Sequence, residues 1–193
     1  DGSSWTEVSD LNTGRSDCGM AGSSASASFF GGSVGGTRQT ANEFWDGAAW
    51  TEVADISTAI YQNIGAGTST LALNIGGNVA PDNLSNLVSE WNFDSTLAAG
   101  SWATSNDINT ARSTLGGAGI QTAAVVFGGY TGPPGADETE EYNGTSWSEQ
   151  NNLNTGRQYF RAGYGLQTAA IAVSGAIGST LNTAVENYDG TSW

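Results

Sequence analysis

Residues 102–147 read WATSNDINTARSTLGGAGIQTAAVVFGGYTGPPGADETEEYNGTSW, and this stretch decides the fold. Its local signals are all of the strand kind. Ala123 to Phe127 is a short apolar run that stops at Gly128-Gly129. Such a run is too short for a helix and fits a strand buried on both faces. Gly119 marks a turn ahead of it, between two shorter strands. Asn143-Gly144 stands between a strand carrying Tyr142 and a strand beginning at Trp147. Asn-Gly and Asp-Gly supply the positive φ that tight hairpin turns demand. The stretch therefore reads as four short strands.

The same frame recurs on both sides. Aligned on the tryptophan at the D/N-G-x-x-W turn, for which unit two has the longer stretch WNFDSTLAAGSW, the chain places Trp5, Trp50, Trp102, Trp147 and Trp193 at spacings of 45, 52, 45 and 46. Self-similarity with a period of about 47 residues signals a propeller or solenoid. The units run at about 5–49, 50–101, 102–146 and 147–193, within a single domain of residues 1–193. An arginine follows three of the tryptophans at ten residues: Arg15, Arg112 and Arg157. Unit two has Ile60 there, and unit four has Ser174 for the first glycine of its doublet. A repeated arginine most simply pins a loop to backbone carbonyls or to a glutamate. One glutamate per unit is the candidate partner: Glu43, Glu90, Glu141 and Glu186.

The apolar strand ending in Gly128-Gly129, the acidic and aromatic strand Glu141-Tyr142, the turn, Trp147 and the loop ending at Arg157 together resemble the kelch repeat, and the likeness covers essentially the whole chain. The wording NGTSW, LNTGR, QTAA and FGG is also similar to the kelch-like repeats of marine bacteriophage structural proteins. The resemblance implies an all-β, kelch-like β-propeller with four four-stranded blades. Residues Asp1 to Trp5 have the phase of Asp189 to Trp193, so the N-terminal strand is expected to complete the last blade and close a ring. Membership in a longer array stays open beside that reading. Trp5, Trp50, Trp102, Trp147 and Trp193 are expected on outer strands, where large side chains fill the wide part of each sheet.

Composition narrows the function. The chain has 19 acidic residues, five arginines, no lysine and no histidine, for a net charge of −14. Such a surface repels phosphate backbones and anionic membranes, so neither nucleic-acid binding nor membrane insertion is expected. No apolar stretch reaches spanning length. Without histidine the usual general base, triad partner and imidazole metal ligand are missing. The copper site known on this architecture needs histidine ligands and is excluded. No calcium-loop spacing and no phosphate loop occur, so no cofactor and no metal are expected. Cys18 is alone and reads as a small, partly buried residue. The chain begins at Asp1, which suggests processing or a longer polypeptide.

Binding is expected where the units differ. The loops after the glycine doublets vary most, and in kelch propellers they share one face with the loops after the Trp strands. Tyr130, Arg38, Asp82, Tyr159 and Arg161 are the candidate ligand-binding residues on that face. Exposed aromatics beside arginine and aspartate suit a stacked sugar ring or a protein partner. The expectation is a non-enzymatic structural or recognition module of a virion or cell-surface appendage, extracellular or on the virion surface. Its partners would be a surface glycan or other structural chains. The alternative is a secreted carbohydrate-active enzyme or its lectin-like accessory domain.

Overall fold

The computed structural model describes residues 3–94, 99–160 and 163–193, which contain no helix. They form four antiparallel sheets arranged as a four-bladed β-propeller. Blade one holds β1 (Gly19–Ser23) and β2 (Ser26–Phe30), then a small loop hairpin, β3 (Ser33–Val34) and β4 (Thr37–Arg38), then β5 (Asn42–Trp45) and β6 (Trp50–Val53). Blade two repeats the plan with β7 (Ile64–Gly67), β8 (Leu71–Ile75), the hairpin β9 (Asn78–Val79) and β10 (Asn83–Leu84), β11 (Val88–Asp94) and β12 (Ala99–Thr104). Blade three has β13 (Gly116–Ile120), β14 (Ala123–Phe127), β15 (Thr139–Tyr142) and β16 (Trp147–Gln150). Blade four has β17 (Tyr164–Leu166), β18 (Ala169–Val173), the hairpin β19 (Ala176–Ile177) and β20 (Thr180–Leu181), and β21 (Val185–Tyr188). The paired order within a blade is first, second, third, fourth strand, with the first strand innermost.

The turns work as the sequence requires. Gly22, Gly67, Gly119 and Gly165 each take positive φ between the first two strands. At the outer hairpin, the side-chain oxygens of Asp46, Asn143 and Asp189 each accept two backbone N–H groups of their own turn. The loops after the glycine doublets are more ordered than a variable loop suggests. In blades one, two and four they fold into the two-residue strand pairs named above.

Apolar layers lie between blades, because each face of a blade packs on its neighbour. Phe30 and Ala21 of blade one meet Ala72 and Trp91 of blade two. Leu73 and Ile75 of blade two meet Ala124, Val126, Tyr142 and Trp147 of blade three. Val125 and Phe127 of blade three meet Ala170, Ala172 and Tyr188 of blade four. The glycine doublets make these joints. The second glycine of each doublet, Gly32, Gly77 and Gly129, donates at 2.8 Å to the carbonyl of Ile60, Arg112 and Arg157 in the next blade. The first glycine lies under the same carbonyl, and a Cβ on Gly76 would come within 2.7 Å of Arg112 O.

One expectation is overturned. Among the described residues blade four has three strands, and residues 3–10 add no strand to it. Trp5 is fully exposed. The reason is steric. The position Trp5 would take is held by Trp193, whose ring lies 5.0 Å from Tyr188, as Trp147 lies 4.9 Å from Tyr142. Trp193 also donates its Nε1–H to Thr139 Oγ1 at 2.9 Å. Trp50, Trp102 and Trp147 do lie on the outermost strands.

Candidate functional site: the loop face and the channel mouth

The repeated charged residues are consumed by the scaffold. The side chains of Arg15, Arg112 and Arg157 are fully buried and pair with Glu43, Glu140 and Glu186. Each glutamate in turn accepts a backbone N–H of the loop that carries the arginine, from Asn12 at 2.8 Å, Asn109 at 2.7 Å and Asn154 at 2.7 Å. Each guanidinium also donates to carbonyls at the end of the second strand and the start of the third, such as Glu138 O at 3.0 Å and Ala184 O at 2.7 Å. Burial pulls the Arg157 pKa below its ordinary value, with Glu186 opposing that shift.

This corrects the expected glutamates. The partner of Arg112 is Glu140, and Glu141 points to the other face of β15. Glu141 instead accepts from Tyr188 Oη at 3.1 Å in blade four. Glu90 has no arginine, and accepts from Tyr142 Oη at 2.8 Å and from Ser105 Oγ at 2.7 Å. Burial raises the pKa of both tyrosines, and the carboxylates beside them add to it. Blade two carries Ile60 at the arginine position and Ser89 at the glutamate position, so the pair is absent as a unit.

Two further structural side chains escaped the sequence reading. Gln121 and Gln167 sit in the inner hairpins of blades three and four. Gln121 Nε2 donates to Trp91 O at 2.8 Å and Ala72 O at 3.3 Å, and Gln167 Nε2 to Tyr142 O at 2.7 Å and Ala124 O at 3.0 Å. Each stitches its blade to the one before. The signal was there: glutamine stands two residues after the turn glycine in both units, within QTAA.

The loops after the glycine doublets are hung on the inner rim. Their bases bridge to the residues that lead into the first strands, at Ser16 with Ser33, Tyr61 with Asn78, Ser113 with Tyr130 and Gln158 with Ala176. The next residues, Asp17, Gln62, Thr114 and Tyr159, all have positive φ although none is glycine. That conformation is costly for such side chains and persists only where the surroundings enforce it. Here backbone bonds between blades enforce it: Gln62 N–H to Asp17 O at 2.7 Å, Thr114 N–H to Gln62 O at 3.0 Å and Phe160 N–H to Thr114 O at 3.0 Å. Four strained residues thus encircle the mouth of the axial channel, on the face that carries the loops.

Of the five candidate ligand residues, the structure brings two together. Arg38 forms an ion pair with Asp82, and its guanidinium lies 4.9 Å over the Tyr61 ring. The pair joins the loops of blades one and two. Tyr130 is half-buried at the base of its loop. Tyr159 is exposed at the channel mouth. Arg161 lies outside the described residues. Asn63 Oδ1, packed against Gly31 of blade one, and Thr114 Oγ1 are buried and have no hydrogen-bond partner among the described residues. Cys18 lies beside them; burial pushes its thiol pKa up to about 11, against the lowering effect of Arg15. Among the described residues no group of three or more acidic or cysteine side chains is placed to hold a metal ion. None of their helices could cross a membrane, since there are none.

No protein-family model matches this chain, and no curated protein matches it.

Proposed function

We propose that this chain is a non-enzymatic, kelch-like recognition or structural module of a virion or cell-surface appendage. It binds a glycan or a neighbouring structural protein through its loop face. One observation carries this reading. The side chains that recur from unit to unit are tied into the scaffold, and the chemistry that varies is gathered around the channel mouth. Asp17, Gln62, Thr114 and Tyr159 share one strained backbone geometry and four different side chains. A rigid frame that holds different side chains at equivalent places is what a selective surface needs.

The acidic surface, with a net charge of −14, suits a neutral or cationic partner and opposes an anionic one. The kelch likeness and the phage-like wording of the repeats support the setting. The test is a panel of immobilised surface polysaccharides and purified virion structural proteins, probed with the chain and with Tyr159→Ala and Asp82→Ala. The expected result is binding to a member of the panel, weakened by these substitutions, without hydrolysis. Release of reducing ends from a bound polysaccharide would instead favour a carbohydrate-active enzyme.

A further inference from the structure

Each blade-to-blade joint covers four positions on the forward face of the earlier blade: one on the first strand, two on the second and one on the third. In blade three they are Ala118, Val125, Phe127 and Thr139, all buried, and the equivalent residues of blades one and two are buried as well. Blade four places Tyr164, Ile171, Val173 and Val185 there. Tyr164, Val173 and Val185 are 68 %, 46 % and 55 % exposed, and Ile171 is half-buried. The close contacts that join β1 to β7, β7 to β13 and β13 to β17 have no comparable counterpart between β17 and β1. A hollow of about 390 Å³ lies against this face, and among the described residues its walls come from blade four alone. Blade four thus presents an apolar sheet face that nothing in the chain covers as the other three are covered.

Blade one does not close on that face, and the reason is steric. At the other joints the following blade sets a glycine of its inner strand against the inner strand before it. A Cβ on Gly65 would come within 2.2 Å of Met20 O, and one on Gly163 within 2.2 Å of Gly117 O. Blade one has Met20 at that position. The first doublet glycine is as tightly placed, since a Cβ on Gly128 would come within 2.8 Å of Arg157 O, and blade four has Ser174 there. The bond made by the second doublet glycine is missing too: among the described residues Gly175 N–H makes no bond to Arg15 O. Met20 bars blade one of a second copy in the same way. Blade four of a second copy brings no such obstacle. Charge points in the same direction. The chain has a net charge of −14, so two copies meet at least cost where carboxylates are few. Residues 161–193 have Arg161, Glu186 and Asp189 as their only charged residues. Neither carboxylate is on the open face: Glu186 lies on the opposite face, paired with Arg157, and Asp189 accepts N–H groups of its own turn.

We propose that the open face of blade four pairs with the same face of a second copy in a two-fold symmetric dimer. Such a patch is its own complement, because a contact made by one copy is made again in reverse by the other. Two sheets packed face to face lie about 10 Å apart, a spacing at which Tyr164, Val173 and Val185 of the two copies interdigitate. The two faces together bury roughly 1,000 Å², the lower bound for a specific interface, so the dimer should form at concentrations of about 10–100 μM. The inference stands on blade four and is independent of the loop-face reading.

The experiment is sedimentation velocity of the chain across concentrations of about 5 to 500 μM, which bracket that range. The expected result is a shift from monomer to dimer as concentration rises. Tyr164→Glu and Val173→Asp each put a carboxylate on the face, and each should weaken association at least about tenfold. Both side chains are exposed, so thermal melts at low concentration should match the parent, and the two variants guard against a fold defect in either one. Met20→Glu, on the blade-one side of the gap, should leave the dimer unchanged. A monomer at every concentration would overturn the proposal, and so would a dimer that survives both blade-four substitutions. A dimer lost in Met20→Glu would overturn it as well, by showing that blade four of one copy meets blade one of the next.

Discussion

Replacing Arg112 by isoleucine should destabilise this protein far more than its loss of contacts alone implies, and a second substitution should restore much of the loss. Arg112 is fully buried. It donates to Glu140, to Thr110 O at 3.2 Å, to Gly128 O at 3.3 Å and to Glu138 O at 3.0 Å. Glu140 is equally buried and keeps only two backbone donors, Asn109 N–H and Thr110 N–H, once the guanidinium is gone. Breaking a buried ion pair from one side typically costs about 3–5 kcal/mol, because the remaining charge is left uncompensated. Arg112→Ile should fall in that range. Glu140→Ser alone should do likewise, by stranding the guanidinium. Blade two shows the alternative solution, with Ile60 fully buried and Ser89 at the glutamate position. The double variant Arg112→Ile/Glu140→Ser imposes that solution on blade three. The Glu138 carbonyl still receives the Gly128 N–H at 3.0 Å. The coupling between the two substitutions should therefore reach at least about 2 kcal/mol, within the span seen for residues in one network. The assay is urea denaturation followed by tryptophan fluorescence, with the midpoint and slope fitted for all four proteins. Additive losses, with coupling under about 0.5 kcal/mol, would refute the view that pair and apolar replacement are interchangeable solutions.

Trp5 and Trp147 hold the same place in the repeat but not in the fold. Trp5→Ala should change stability by less than about 0.5 kcal/mol, while Trp147→Ala should cost about 3–5 kcal/mol, both read by thermal melts. The thiol of Cys18, with its pKa at about 11, should resist alkylation at pH 8 in the folded protein and react at once in urea, as mass spectrometry would show. The carboxyls of Asp46 and Asp189 are held below the ordinary value, chiefly by the N–H groups of Ala49 and Ala48 and of Ser192 and Thr191. A depressed folded pKa gives stability that is complete above the unfolded value of about 3.9 and is lost as pH falls through the folded one. Asn143 makes the same two turn bonds without a charge. Asp46→Asn/Asp189→Asn should thus melt like the parent at pH 7 and lose less stability on acidification below pH about 4.

The blades were legible in the sequence because their grammar is steric. Gly-Gly, Asp-Gly and tryptophan at fixed offsets each answer to a backbone requirement that a linear reading can see, and β2, β8 and β14 lie where the glycine doublets end them, as β18 lies before Ser174-Gly175. The glutamate partners were harder. In TEEY two glutamates are adjacent and point to opposite faces, and nothing local says from which side the arginine comes. The offset from the aromatic does say it: Glu43, Glu140 and Glu186 each stand two residues before Trp45, Tyr142 and Tyr188, and Ser89 stands two before Trp91. That residues 3–10 add no strand to blade four was not legible. Residues 5–8 repeat the WTEV of β6 letter for letter, yet Trp193 already occupies the site their phase matches. Of the candidate ligand residues, the sequence placed Tyr159 and Asp82 on exposed ground. It did not foresee that Arg38 would be tied to Asp82, nor that the channel mouth is ringed by positive-φ residues. That ring exists only because four loops meet in space.

Hydrogen exchange measured by mass spectrometry tests most directly whether three apolar layers join the blades while residues 3–10 stay out of blade four. Amides of β8 and β14, covered on both faces, should exchange slowest. Those of β17, β18 and β21 should exchange faster, and residues 5–8 at the rate of an unstructured peptide. Protection of residues 5–8 equal to that of β6, together with protection of β17 equal to that of β13, would mean that blade four and blade one are joined like the other three, and would contradict the account.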